Sequence, residues 1–232
     1  MKTIGMIGGM SWESSLEYYR IINEAVKQQL GGLHSAKSVL VSVDFAEIEV
    51  LQREDRWQDA TRVMIEAARA VQTGGADFLI ICTNTMHKMA DEVQESISIP
   101  LLHIADPTAE AIQAQGLQKV GLLGTRFTME QDFYRSRLVE KYGLDVLLPD
   151  RADREIVHRV IYDELVLGKI VPASQTEYLR ILAGLAEAGA GGVILGCTEI
   201  GLLISQEDSS LPLFDTTRIH ALAAVRYALQ DS

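Results

Sequence analysis

The sequence reads GADFLIICTN at residues 75–84 and returns to the same pattern, 114 positions later, as GAGGVILGCT at residues 189–198. A second pair of stretches also matches, because IGMIG at residues 4–8 corresponds to VGLLG at residues 120–124. The two matches occur in the same order along the chain. This internal repeat predicts two halves built on the same plan.

Short apolar runs rich in Val, Ile and Leu alternate with longer amphipathic stretches. Such brief runs are typical of buried strands in parallel sheets. The predicted strands cover residues 3–7, 38–43, 78–82, 101–104, 120–123, 146–148 and 193–195. Strands that alternate with helices predict an α/β protein with parallel sheets.

Several polar residues are predicted to begin helices. Ser11 precedes a stretch in which apolar residues recur every three or four positions, as expected of a helix N-cap. Asp106 followed by Pro107 is a second candidate N-cap, and Ser174 with Glu177 fits a capping box.

The repeat predicts two Rossmann-like α/β units with parallel sheets, facing each other across a cleft. We expect the first unit to comprise residues 1–105 together with 211–232, where the last helix packs back, and the second to comprise residues 106–210. No low-complexity linker separates the two halves.

Composition narrows the classes of function. A net charge of −11 disfavours nucleic acid and anionic membranes as partners, although a local cationic site could still bind an anionic substrate. There is no run of 18 apolar residues, and the start of the sequence resembles a strand and turn more than a signal peptide. Two cysteines without a CxxC motif predict neither a zinc site nor a disulfide framework, so we expect a cytoplasmic protein.

Small polar residues follow four of the predicted strands, at residues 8–11, 83–85, 124–125 and 197–199. Open parallel sheets bind ligands beyond the carboxyl ends of their strands, and the N–H groups at the following helix starts favour a carboxylate or phosphate. Any one of these segments could be an ordinary turn. The four together, related by the repeat, predict an anion-binding cleft.

The repeat pairs Thr83 of the first half with Cys197 of the second. A cysteine in this setting is often a small core residue, but the helix start that follows Cys197 is expected to lower its thiol pKa and favour the thiolate. Cys82 and Thr83 are neighbours in an extended strand and point to opposite faces. We expect Cys82 to be buried and Thr83 to face the ligand.

Other candidate residues carry weaker signals. Lys169 could pair with a substrate carboxylate, although an isolated lysine is usually exposed. We expect His87 to be a packed or capping histidine. The spacing Gly5-x-x-Gly8-Gly9 lacks the GxGxxG pattern of dinucleotide sites, which argues against a nicotinamide-dependent dehydrogenase.

Four motifs taken in order resemble the aspartate/glutamate racemase family, and the resemblance extends over nearly the whole chain. They are GMIGGMS at residues 5–11, CTNTMH at 82–87, GTRFT at 124–128 and GCTE at 196–199. The resemblance implies two pseudo-symmetric α/β domains with the active site between them. It also implies inversion of an amino-acid α-carbon without pyridoxal phosphate, metal or nucleotide, a small-molecule substrate and a homodimer.

The chain departs from the family pattern at the first catalytic position. Most members of the family use two cysteines, and Cys197 matches the second, but Thr83 stands where the first is expected. The resemblance implies that the α-carboxylate and amino group are bound by Asn84, Thr85, Thr125 and Thr198. It places Lys169 near the distal carboxylate and Met10 and Gln52 along the pocket wall. The same motifs add Thr128 and Glu199 to the predicted substrate-binding residues.

We therefore predict a cofactor-independent racemase of aspartate or glutamate, with Cys197 as the base for the L-enantiomer and Thr83 as a weaker partner on the D side. Two alternatives remain open, besides the dehydrogenase that the loop spacing argues against. A related enzyme, such as a hydantoin racemase, maleate isomerase or arylmalonate decarboxylase, would share the fold and a catalytic cysteine. A binding protein for amino acids or dicarboxylates would retain the cleft without catalysis. Substrate breadth is also open.

Overall fold

A computed structural model describes residues 1–230 of the 232-residue chain. The chain divides into two compact units, and each has a parallel sheet flanked by helices. The first unit comprises Met1–Ile104 together with the chain from His220 onward, and the second comprises Ala105–Ile219. The α/β fold with parallel sheets in two units, predicted from the repeat, is confirmed.

The first unit has a three-stranded sheet in the order β2-β1-β3. Its strands are β1 (Ile4–Gly8), β2 (Ser38–Ser42) and β3 (Phe78–Ile81). Its helices are α1 (Trp12–Leu30), α2 (Phe45–Arg53), α3 (Trp57–Thr73) and α4 (Ala90–Glu95), with a 3₁₀ turn at Thr85–Met89. The central strand β1 pairs in parallel with both neighbours, so the carboxyl ends of all three strands lie at one edge.

The second unit has a four-stranded sheet in the order β5-β4-β6-β7. Its strands are β4 (Lys119–Gly124), β5 (Asp145–Leu147), β6 (Val193–Gly196) and β7 (Leu213–Asp215). Its helices are α5 (Ala105–Ala114), α6 (Arg126–Glu130), α7 (Asp132–Ser136), α8 (Arg151–Asp163), α9 (Pro172–Glu187) and α10 (Ile200–Leu203). Shorter helical turns cover Arg137–Lys141, Leu165–Leu167 and Gln206–Asp208. The final helix, α11 (Thr216–Leu229), begins in this unit and continues into the first.

The two faces of the first sheet pack against different helices. Ile7 contributes to a cluster with α2, α3 and α4, whereas Ile4 and Met6 on the opposite face pack with α1 and α11. The alternation follows from the two-residue period of a strand, and burial of both faces explains why β1 and β3 carry no polar side chain. Cys82 belongs to the cluster under α1 and α11 and is completely buried, as predicted.

The predicted second boundary, after residue 210, differs from the observed one because β7 was missed. β7 pairs in parallel with β6, so it belongs to the second sheet and extends that unit to Ile219. The predicted strand at residues 101–104 is reduced to a single bridge between Leu79 and Leu101. This bridge is the first unit's counterpart of the β6–β7 pairing.

The structure also corrects two predicted helix starts. α5 already includes Ala105, so Asp106 lies in its first turn and instead binds Arg137 and Lys141. α9 begins at Pro172, which places Ser174 inside the helix. Proline at the first helical position explains this start, since it lacks the N–H that a helix end leaves unpaired. Ser11 does cap α1, because its side chain accepts a hydrogen bond from the N–H of Ser14.

In the described part of the chain, no helix is both long and apolar enough to cross a membrane.

Candidate active site

The second unit gathers three predicted site residues directly after β6. The Cys197 thiol donates a hydrogen bond to Oε2 of Glu199 at 3.0 Å, and the Thr198 hydroxyl donates to the same oxygen at 2.6 Å. Cys197 is 8% exposed and Glu199 is 3% exposed. The carboxylate is therefore a buried proton acceptor that contacts the thiol directly.

Burial and this pairing reverse the expected shift in the pKa of the thiol. Burial raises the pKa of Cys197 well above its usual value, and the negative charge and hydrogen bond of Glu199 raise it further. Backbone N–H groups of Glu199 and Thr198 act in the opposite direction but are outweighed. The sequence prediction of a lowered pKa was wrong because burial and the neighbouring carboxylate together outweigh the backbone at the helix start. The raised pKa favours the protonated thiol over the thiolate.

Strand pairing brings a second segment to the same edge of this sheet. Gly124, the last residue of β4, is the register partner of Gly196, so Thr125 and Cys197 follow directly after paired residues. The Thr125 hydroxyl caps α6 by accepting from the N–H of Thr128, and the hydroxyl groups of these two threonines lie 3.2 Å apart. Both side chains are buried.

Sequence reasoning missed His158, which supports this threonine segment from α8. Its Nδ1 atom accepts a hydrogen bond from the backbone N–H of Arg126 at 3.2 Å. Burial lowers the pKa of His158, and the Arg126 charge lowers it further, which favours the neutral ring that can accept. No local signal identifies this contact, because the two residues are 32 positions apart.

Lys169 follows the helical turn at Leu165–Leu167, in the same unit as Cys197. Gly168 adopts a left-handed conformation with φ of 67°, and the N–H of Lys169 then donates to the carbonyl of Glu164. The turn at Leu165–Leu167 packs against α10, which follows the Cys197 segment. The lysine residue is exposed, whereas Cys197 is buried.

In the first unit, the corresponding segment follows β3. The N–H of Cys82 donates to the carbonyl of Ile7, which extends the strand pairing by one residue. Thr83, Asn84 and Thr85 come next, and all three are largely buried, with Thr83 9% exposed. Burial raises the pKa of the Cys82 thiol far above its usual range, consistent with a core residue.

The other two predicted residues of this unit are also buried. Met10 packs in the core cluster with α2 and α3. Gln52, on α2, donates from its side-chain amide to Sδ of Met86 at 3.1 Å, and Met86 lies in the 3₁₀ turn that follows Thr83. Gln52 is therefore connected to the Thr83 segment through Met86. His87, predicted to be a packed histidine, is buried in the same turn.

Among the residues that the structure describes, no group of three or more His, Cys, Asp or Glu side chains is arranged to hold a metal ion.

Comparison with known proteins identifies the family. The sequence model of the Asp/Glu/hydantoin racemase family matches residues 7–224. A broad-specificity amino-acid racemase of Bacillus subtilis is 23% identical over 171 residues, which are 71% of this chain and 70% of that protein.

Solved structures agree with this assignment. The crystal structure of a candidate Asp/Glu racemase from Yersinia pestis has a TM-score of 0.92 and 56% identity, covering 99% of this chain and 100% of that one. An aspartate racemase homologue from Pyrococcus horikoshii has a TM-score of 0.84 and 35% identity, covering 98% and 99% of the two chains. These matches confirm the resemblance inferred from the motifs. The chain belongs to the Asp/Glu/hydantoin racemase family and is an isomerase.

Proposed function

We propose that this chain is a cofactor-independent racemase of aspartate or glutamate, in which Cys197 exchanges the α-proton of the L-enantiomer and Thr83 serves the D side. The hydrogen bond from the Cys197 thiol to the Glu199 carboxylate is the observation that carries the proposal. It supplies a reactive group of the right type together with the group that can accept its proton.

A thiol with a raised pKa must be deprotonated before it can act as a base. Glu199 is in direct contact and can take the proton from Sγ, which gives a thiolate and a neutral carboxyl group. A bound amino acid would assist, because its ammonium group adds positive charge to a site in which Glu199 otherwise opposes the thiolate.

The proposed cycle conserves protons. The Cys197 thiolate takes the α-proton of the L-amino acid, and the resulting carbanion takes a proton from the Thr83 hydroxyl or from a water held by it. Glu199 then releases its proton to solvent, and Thr83 regains one from solvent. The product is the D-enantiomer, and the reverse sequence regenerates the L-enantiomer.

The two bases differ strongly in acidity, so the two directions should differ in kinetic character. A threonine hydroxyl titrates far above a thiol, whose ordinary pKa is about 8.5. The equilibrium constant between enantiomers is one, which fixes the ratio of the two kcat/KM values at unity. The asymmetry therefore appears in kcat, in affinity for the D-enantiomer, or in the rate of exchange with solvent.

Substrate identity is proposed from the relatives and from one lysine. The relatives include an aspartate racemase homologue at 35% identity and a broad-specificity amino-acid racemase at 23%. We propose that Lys169 contacts the distal carboxylate, while Asn84, Thr85, Thr125 and Thr198 bind the α-carboxylate and amino group. Met10, Gln52, Thr128 and Glu199 complete the proposed pocket lining. Lys169→Met should raise KM for glutamate and aspartate more than KM for uncharged amino acids.

Deuterium exchange tests the central claim. Each enantiomer of aspartate and glutamate is incubated in D₂O, and α-deuterium is measured by proton NMR while the enantiomers are separated by chiral chromatography. Cys197→Ala should abolish exchange from the L-enantiomer, and Thr83→Cys should increase exchange from the D-enantiomer. The buried Cys82→Ala is the matched control and should retain exchange.

Three results would reject the proposal or part of it. Full activity in the Cys197→Ala variant would remove that residue from the mechanism. Loss of activity in a folded Cys82→Ala variant would show that the wrong member of the 82–83 pair was chosen. Saturable binding of amino acids without exchange in the wild-type protein would favour a non-catalytic binding protein.

A homodimer also belongs to the proposal and rests on the family resemblance, whereas the proposed cytoplasmic location rests on two cysteines without a CxxC motif. Light scattering coupled to gel filtration should give twice the mass of one chain. A monomeric mass with full activity would contradict the dimer.

A further inference from the structure

We propose that His87 is the positioning residue for Thr83, because its ring fixes the backbone from which the Thr83 side chain projects. This inference rests on the proposed function, since it assigns His87 a role in proton transfer on the D side. The catalytic group remains Thr83, and His87 acts only through it.

The His87 ring connects the Thr83 segment to Ile104, where the N-terminal part of the first unit ends. Its Nδ1 atom lies 2.8 Å from the carbonyl oxygen of Thr83, and its Nε2 atom lies 3.2 Å from the backbone nitrogen of Ile104. A carbonyl oxygen can only accept and a backbone N–H can only donate. These two contacts therefore require a neutral ring with the proton on Nδ1.

Neighbouring groups restrict the ring further. His87 is only 2% exposed, and its centroid lies 4.6 Å from that of His103 and 5.8 Å from that of His220. His220 is held in turn by a 2.9 Å hydrogen bond between its Nδ1 atom and the Tyr18 hydroxyl, and its Nε2 atom lies 2.9 Å from the carbonyl of Leu102. The ring of His87 thus lies in a packed cluster with little freedom to rotate.

The contact matters because Thr83 lies beyond the end of the β-ladder. β3 ends at Ile81, and the last strand-type hydrogen bond on this side comes from the N–H of Cys82. The Cys82 carbonyl accepts from the Ser14 hydroxyl at 3.4 Å, and the His87 ring bonds to the carbonyl that follows it, that of Thr83. The backbone N–H of His87 donates to the carbonyl of Asn84. Together these bonds set the direction in which the chain turns at Thr83.

Two substitutions separate the two contacts of the ring. The amide nitrogen of asparagine lies close to the position of histidine Nδ1, so His87→Asn can keep the donor to Thr83. The amide oxygen of glutamine lies close to the position of Nε2, so His87→Gln can keep the acceptor for Ile104 and loses the donor. Tyr18→Phe is the matched control, because it removes a hydrogen bond of the same cluster without touching Thr83.

The readout is the ratio of D-enantiomer formed to deuterium incorporated into the recovered L-enantiomer, measured from L-glutamate and L-aspartate in D₂O. Formation of the D-enantiomer requires proton delivery on the Thr83 side, whereas deuterium that enters the recovered L-enantiomer requires only Cys197. We expect the ratio of inversion to exchange with retention to fall about fivefold in His87→Gln, the equivalent of the roughly 1 kcal/mol that one hydrogen bond contributes. In His87→Asn and Tyr18→Phe the ratio should stay within about twofold of wild type.

A merely structural role for His87 would lower inversion and retention together, in proportion to the folded fraction, and would leave the ratio unchanged. An unchanged ratio in folded His87→Gln overturns the inference while leaving the proposed function intact. Equal falls in the Asn and Gln variants overturn it as well. Wild-type protein without any exchange rejects the proposed function and the inference with it. Nitrogen-15 NMR of the imidazoles gives a check independent of activity, because a proton on Nε2 of His87 contradicts the assigned contacts.

Discussion

Replacement of Gly196 by alanine should both destabilise the second unit and disturb Cys197, which follows it directly. A Cβ atom at this position would lie 2.9 Å from the carbonyl oxygen of Leu123 on the paired strand β4. It would also lie 2.9 Å from Cδ1 of Leu122 and 3.4 Å from Cγ2 of Thr128. Leu122 can adjust, but the carbonyl belongs to the β-ladder, so the ends of β4 and β6 must separate.

The structure gives the size of this displacement. Ordinary contact begins at 3.4 Å, so a Cβ at 2.9 Å requires a shift of about 0.5 Å. Overpacking of this kind costs about 1 to 3 kcal/mol of unfolding free energy. A misplacement of about 1 Å can reduce catalysis roughly 100-fold, so half that distance at Cys197 should reduce kcat/KM about tenfold.

Gly184→Ala is the matched control. Gly184 is exposed within α9, and a Cβ there meets no atom within 4 Å. Alanine in a helix interior should raise stability by about 0.5 to 1 kcal/mol and leave activity unchanged. Urea unfolding gives the free energies, and the exchange assay gives the rates. A Gly196→Ala variant as stable as wild type, or destabilisation of the same size in both variants, would refute the steric argument.

Three further predictions follow from charged groups. Glu199→Gln removes a charge that raises the pKa of Cys197, so alkylation of this thiol by iodoacetamide should begin at lower pH. The completely buried Cys82 should stay unreactive. An unshifted pH profile of alkylation contradicts the pairing of Cys197 with Glu199. Burial raises the pKa of Asp106, but Arg137 and Lys141 outweigh burial and hold this pKa below its usual value. Wild type should therefore lose stability as the pH falls below about 3.9. Asp106→Asn should cost about 1 to 2 kcal/mol of unfolding free energy at pH 7, measured by urea unfolding, and should lack the acid loss of stability. The folded-state pKa of His158 is lowered, so the unfolded chain takes up a proton first as the pH falls. Stability should therefore fall as the pH drops below about 6.5. His158→Asn keeps an acceptor for the N–H of Arg126 and should flatten this part of the stability profile, measured by thermal unfolding.

Most strands could be predicted because burial on both faces leaves a strong apolar signal in the sequence. The internal repeat then predicted that these strands form two sheets. Six of the strands begin within one residue of the predicted start, and the burial of Cys82 followed from the alternation of strand side chains. The strand that was missed, β7, has only three residues, and only Phe214 among them is fully buried. A signal so short is lost in the surrounding turn residues. The equivalence of β3 and β6 could have recovered it, since Leu101 bridges to Leu79 as β7 pairs with β6.

Contacts between distant side chains could not be predicted in this way. Asp106 followed by proline has the sequence of a helix start, yet its carboxylate is bound by Arg137, which lies 31 positions away. The pKa of Cys197 was predicted in the wrong direction for a related reason. Backbone N–H groups at a helix start are implied by any strand-to-helix turn, whereas the rotamer that brings Glu199 onto the thiol is a property of the folded loop.

Among the differences between the two loops that the repeat relates, two concern the proposed proton transfer. In the repeat, Cys197 corresponds to Thr83, and Glu199, two residues later, corresponds to Thr85. A buried thiol needs a nearby acceptor before it can become a base, and the second unit supplies one at 3.0 Å. In the proposed L-to-D direction the Thr83 hydroxyl donates a proton and needs no such acceptor, and a carboxylate at residue 85 would disfavour the negative charge that its oxygen carries when it accepts the proton in the reverse direction. In the proposed mechanism, threonine at position 83 is thus one part of a paired difference, in which one loop carries a base with its acceptor and the other carries a hydroxyl whose backbone is held by His87.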